Sequence, residues 1–248
     1  MTYCCGILLQ EGLVVIADTR TSAGVDNIST VRKLHVFEQP GDRVFALASA
    51  GNVSLAQTVL SILIEGLENP ETGHVETLMD SPTMFQAAQR VGRAIRYVRR
   101  TEGAALEEAN VRFDIAFLLG GQIKGGPMRL FMIHPAGNFV ECTTDTLFLE
   151  IGEHKYGKPV LDMAIRFDVD LYDALKIGLI SMDDTMRSNL AVGLPIDILA
   201  VRRDACACEL SYRIEPGEPY FHDLSARWSA ALRAGHIAIP RPPYASRP

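Results

Sequence analysis

Thr2 is where chemistry could begin in this sequence. It stands directly behind Met1 in MTYCCGILLQEGLVVIADTR, and the apolar run starts at Tyr3. Removing Met1 would leave one threonine carrying both a hydroxyl and a free α-amine. A threonine hydroxyl is a poor nucleophile until a base takes its proton. The α-amine can be that base, because its unperturbed pKa of about 7.7–8.0 leaves much of it neutral near working pH. Three further residues suit this chemistry. Asp18, in Ala17-Asp18-Thr19-Arg20, ends the strand that returns beside Tyr3, so it reaches the base of the first strand. Lys33, in Val31-Arg32-Lys33-Leu34, would pair with Asp18 and set a cation near the Thr2 oxygen, favouring loss of its proton. Gly51, in Ser49-Ala50-Gly51, lies where a strand gives way to a helix, and its N–H can face a substrate carbonyl oxygen.

Taken singly, each has an ordinary reading. Threonine is a common second residue, Asp18 is an acid opening a loop, and Gly51 is a glycine opening a helix. Lys33 alone is a strand-edge charge that discourages aggregation. Their weight lies in the combination, on the elements that would position them.

Those elements follow from hydrophobic periodicity. Tyr3 to Leu9 and Leu13 to Ala17 read as a hairpin across Gln10-Glu11-Gly12. Asp18 to Asn27, containing Gly24, is a polar loop. Val31 to Phe37 and Arg43 to Ala48 form a second pair across Pro40-Gly41-Asp42. The period then changes: Val53, Leu60, Leu63, Ile64 and Leu67 predict a helix capped by Asn52 or Ser54 and ending before Pro70. A second helix is predicted from Pro82 to Arg100, with Phe85, Ala88, Val91 and Ile95 inward and Arg90, Arg93, Arg96, Arg99 and Arg100 on its other side. That arginine row reads as a solvated face or a subunit contact.

The stretch FDIAFLLGGQIKGGPMRLFMIHPAGNFVEC predicts three strands, with turns from Gly120-Gly121 through Gly126-Pro127 and at Pro135-Ala136-Gly137-Asn138. Helices are expected near Lys158 to Arg166 and Leu171 to Met186. Strands are expected over Asp197 to Val201 and Cys206 to Arg213, then a helix over Phe221 to Ala234. Residues 1–234 therefore read as one domain, and 235–248 as a Pro-rich extended tail. Helices come in pairs between groups of strands, which points to two antiparallel sheets face to face with helices outside, an α+β class.

The front-end set, the words TYCCG, DTRTSAGVDNIS and RKLHVFE, and the central hairpin FLLGGQIKGGPMRLFMIHPAGNF resemble the proteasome β-subunits, most closely their bacterial Anbu branch. The resemblance implies a four-layer αββα sandwich and an N-terminal-nucleophile hydrolase. It also implies a peptide or amide substrate, no cofactor and no metal, and self-association into an open or helical ring. Asp184 and Ser188, ahead of Val192-Gly193, stand where the family places a supporting Asp and Ser, though at a different spacing. Where the family commonly supplies a serine in a Gly-Ser-Gly turn, this chain reads Ile151-Gly152-Glu153-His154.

A net charge of -6 gives no electrostatic reason to expect nucleic acid or an anionic membrane as partner. No apolar run has the length of a membrane helix, and no leader pattern opens the chain, so a cytoplasmic location is expected. The five cysteines are an odd number and fit reduced, buried thiols. Cys206-Ala207-Cys208 is expected within a strand, with both thiols on one face. Cys4 and Cys5 are rival nucleophiles, but neither would stand at the chain start. His35, His74, His134, His154, His222 and His236 have no metal-ligand spacing. Two further functions stay open at this point: a non-catalytic ring-forming assembly subunit, and an amidase for a dedicated small or peptide substrate.

Overall fold

The computed structural model describes residues 1–22, 28–70 and 72–244. β1 (Tyr3–Leu8) and β2 (Gly12–Asp18) form the expected hairpin, with Cys4 opposite Ala17 and Leu8 opposite Leu13. Every residue of both strands is buried, the mark of strands covered on both faces. Alternation then decides which core each side chain enters. Tyr3, Cys5, Ile7 and Leu9 point to one core, Cys4 and Leu8 to another.

A small ribbon of β3 (Arg20–Ser22) and β4 (Ile28–Thr30) follows, which the polar composition of this stretch concealed. The predicted loop around Gly24 lies outside the described residues. β5 (Leu34–Gln39) and β6 (Arg43–Gly51) pair across the Gly41 turn. α1 (Val53–Glu65) is capped by Asn52, whose side chain accepts from Ser54 N and Leu55 N. Its buried face is Leu55, Val59 and Leu63, while Ile64 is 54% exposed. The predicted stripe was thus turned too far round the helix, and Leu67 belongs to the clip of β7 (Leu67–Glu68) and β8 (Val75–Glu76).

α2 (Met84–Glu108) is longer than predicted, since the helix formers Ala104, Ala105, Leu106, Glu107 and Glu108 carry it past Gly103. Ala88, Val91 and Ile95 are buried, but Phe85 is 42% exposed and meets Phe139 edge-on. The arginine row is largely engaged within the chain. Arg90 and Arg93 pair with Glu76, Arg96 donates to the Gly137 carbonyl, and Arg99 lies over the Phe113 ring.

β9 (Ile115–Ile123), β10 (Arg129–Ile133) and β11 (Phe139–Glu141) are the three predicted strands. Gly120 and Gly121 are no turn, however; they lie inside β9, opposite Ala46 and Phe45 of β6. β12 (Phe148–Gly152) escaped prediction because it is short, lies at a sheet edge and ends in a glycine. It is followed by α3 (Lys158–Ala164), α4 (Leu171–Ser188), β13 (Ile196–Arg202) and β14 (Leu210–Ile214). Cys206 and Cys208 precede β14 in a turn, with Cys206 at a φ of 46°, so they do not share a strand face. α5 (Pro219–Ala238) runs on through residues 235–238, because no proline interrupts them, and the Pro-rich segment starts beyond it.

The strands form two five-stranded sheets, ordered β12-β1-β2-β13-β14 and β11-β10-β9-β6-β5. Three hydrophobic cores fill the spaces between layers. One lies between the first sheet and α3, α4 and α5; one between the two sheets; one between the second sheet and α1 and α2. This is the αββα sandwich. Among the described residues, no helix is long and apolar enough to cross a membrane.

Candidate active site

Thr2 sits at the mouth of β1 and is 7% exposed. Its carbonyl accepts from Glu153 N at 2.6 Å, which extends the β1–β12 ladder by one residue. That approach needs Gly152: its φ is 85°, and a Cβ there would stand 2.0 Å from the Thr2 carbonyl oxygen.

Asp18, at the end of β2, is fully buried. One oxygen, Oδ1, accepts from the Tyr3 backbone N–H at 3.0 Å and from Lys33 Nζ at 2.8 Å. The β1–β2 register explains this, since Cys4 opposite Ala17 sets Asp18 against the peptide between Thr2 and Tyr3. Burial pushes the Asp18 carboxyl above its ordinary range, and the Lys33 ammonium and Tyr3 amide pull against it. Lys33 precedes β5, is buried, and also donates to the Arg20 carbonyl at 2.6 Å. Two of its three N–H donors are thereby engaged. Its own carbonyl accepts from Ser49 N, tying this cation to β6.

Thr2, Lys33, Ser49 and Gly51 line one small cleft, whose remaining wall includes Val31, Val53, Ala56, Leu60 and Phe117. Gly51 adopts a φ of 104°, and a Cβ would lie 2.3 Å from the Asp114 carbonyl oxygen. The chain turns here from β6 into α1 in a form that only glycine takes without strain.

Behind Thr2, the Tyr3 hydroxyl meets Ser181 Oγ at 2.6 Å and donates to Glu150 Oε1 at 2.7 Å. Thr185 donates to the Ser181 carbonyl. Burial pushes the Glu150 carboxyl up to about 7. Sequence reasoning missed this network; its one signal was Tyr3 in a buried strand, whose hydroxyl must find a partner.

Thr2, Asp18, Lys33 and Gly51 are therefore brought together. Asp184 and Ser188 are not part of that group of contacts. The Asp184 carboxylate accepts from the Trp228 indole on α5, and Ser188 is exposed at the end of α4. The neighbouring Asn189 instead reaches forward, donating to Glu153 Oε2 at 3.2 Å and to Met1 Sδ at 3.6 Å. Cys4 and Cys5 are buried thiols whose ionisation burial pushes well up, which disfavours either as a nucleophile. Among the described residues, no group of three or more His, Cys, Asp or Glu side chains could hold a metal ion.

No family model matches the chain, and neither does any curated protein. Solved structures do. Anbu from Hyphomicrobium sp. strain MC1 is 46% identical over 96% of this chain and 98% of that one, with a TM-score of 0.87. Anbu, an ancestral β-subunit, from Yersinia bercovieri is 41% identical over 98% and 100%, with a TM-score of 0.89. A helical assembly of the Anbu complex from Pseudomonas aeruginosa is 39% identical over 99% and 100%, with a TM-score of 0.88.

Proposed function

The chain belongs to the Anbu family of proteasome-related β-subunits, and from that premise we propose that it is an amide hydrolase whose nucleophile is Thr2, freed by removal of Met1. The observation that carries this reading is the shared oxygen Asp18 Oδ1. It binds the Lys33 ammonium and the amide next to Thr2 at one buried point.

In this reading the Thr2 hydroxyl gives its proton to its own α-amine while its oxygen bonds to the substrate carbonyl carbon. Lys33, held by Asp18, favours the oxygen's loss of that proton. The carbonyl oxygen takes up the displaced electron pair and is met by the Gly51 N–H. Collapse breaks the carbon–nitrogen bond, and the ammonium returns the proton to the departing amine. Water, deprotonated by the same amine, then attacks the ester; the acid leaves and Thr2 regains its proton.

The apolar wall of Val31, Val53, Ala56, Leu60 and Phe117 favours a peptide or amide whose acyl side chain is apolar. The Pseudomonas aeruginosa relative forms a helical assembly, and we extend self-association of that kind to this chain. Turnover of apolar peptide amides by the chain and by Thr2→Ala tests the reading. Hydrolysis lost to background in Thr2→Ala supports it. Turnover at background in both overturns it in favour of a non-catalytic assembly subunit, and equal turnover above background removes Thr2 as the nucleophile.

A further inference from the structure

We propose that the Glu153 carboxylate, held by Asn189, is the positioning residue for the Thr2 α-amine. The inference rests on Thr2 being the nucleophile, and it fills the place where the expected serine is missing from Ile151-Gly152-Glu153-His154.

Three observations carry it. First, the backbone fixes Glu153 to Thr2: its N–H donates to the Thr2 carbonyl at 2.6 Å, and Gly152 permits that approach. Second, Asn189 is oriented. Its Oδ1 accepts from Ala191 N at 3.0 Å, which leaves Nδ2 to face Glu153 Oε2 at 3.2 Å. Third, the same Nδ2 lies 3.6 Å from Met1 Sδ. Asn189 thus joins the Glu153 carboxylate to the side chain of Met1, the residue whose departure exposes the amine.

An anion beside an amine favours its protonated form. Glu153 therefore aims the amine and also raises the pH at which it becomes a working base. Other charged groups lie on the neighbouring elements. Asp18 and Lys33 stand beneath it as a pair. Arg20 donates to the Leu190 carbonyl and lies under Gly193. His154 is within 3.3 Å of the Gly152 carbonyl, and Arg187 is paired with Asp183 on α4. Of these, only Glu153 bonds to Asn189 beside Met1 among the described residues.

The test measures the pKa of the α-amine itself. Full-length chain released at Thr2 by cleavage of an N-terminal fusion is labelled with acetic anhydride across a pH series. The acetylated N-terminal peptide is then quantified by mass spectrometry. Glu153→Gln should shift the amine midpoint down by about one pH unit, and Asn189→Asp should shift it up. Opposite shifts support the proposal; midpoints equal to that of the parent chain in both variants overturn it. Because the readout needs no turnover, it stands or falls separately from the hydrolase reading. Where that activity is measured, the acid limb of kcat/KM should move down with Glu153→Gln.

Discussion

Asp18 and Lys33 are both buried, and they hold each other through a single oxygen. Removing one partner strands the other's charge, which typically costs about 3–5 kcal/mol, whereas replacing both with apolar groups of similar size is often close to neutral. Lys33→Met should therefore lower the melting temperature more than the double variant Asp18→Leu, Lys33→Met does. Both should lose hydrolysis by at least about 100-fold. Recovered stability without recovered activity separates the structural role of the pair from its chemical one. A double variant that hydrolyses normally would remove the pair from the mechanism. Gly51→Ala makes a second case. Its φ of 104° and the nearby Asp114 carbonyl predict a loss of more than about 1 kcal/mol, read as a lower denaturation midpoint. At this scale Thr2, Asp18, Lys33 and Gly51 were legible because each lies at the end of a local strand near the front of the chain. Glu153 and Asn189 were not. Their meeting depends on the register of β12 on β1 and on the cap of α4, and no local pattern encodes either.

β1 is the element on which the site depends. Its alternation sends Tyr3 into the helix-side core while its backbone serves Asp18. The Tyr3 hydroxyl ends on Glu150, whose carboxyl burial lifts from 4.5 to about 7. A raised acid favours the folded state while it is protonated in the fold. This contribution is complete below about 4.5 and is lost as pH rises through about 7. Glu150→Gln keeps an acceptor for Tyr3 and removes the titration. Melting temperatures measured from pH 4.5 to 8 should fall less steeply in Glu150→Gln than in the parent chain; an unchanged slope would contradict this account. β12, which carries Glu150, was illegible because a short edge strand following a polar run resembles a loop. The α1 and α2 faces were partly legible. Periodicity located both helices but turned α1's stripe and sent Phe85 inward, since an aromatic at a helix start can pack along a sheet edge, as Phe85 does on Phe139.

At the scale of the whole molecule, three cores separate four layers, and the two sheets are buried on both faces. The layer order was legible because paired helices alternate with groups of strands that read as near-continuous apolar runs. The strand order within each sheet was not, because it is set by pairings such as β6 with β9 and β2 with β13 that are distant in sequence. Phe45 is fully buried in the core beneath α1 and α2, whereas Phe85 lies 42% exposed at its margin. Phe45→Ala should cost about 3–5 kcal/mol in chemical denaturation, and Phe85→Ala distinctly less. Equal costs would contradict the packing described. The layers matter because they bring the ends of β1, β2 and β6 and the start of β5 around one threonine. The direct test of that claim is mass spectrometry of the N-terminal peptide from protein purified out of its own cell and exposed to an activated apolar acyl ester. A peptide that begins at Thr2 and carries the acyl group on its side-chain oxygen, trapped by an acid quench before the ester hydrolyses or shifts to the amine, is the predicted result. A peptide that retains Met1, or acylation at Cys4 or Cys5 in place of Thr2, would contradict it.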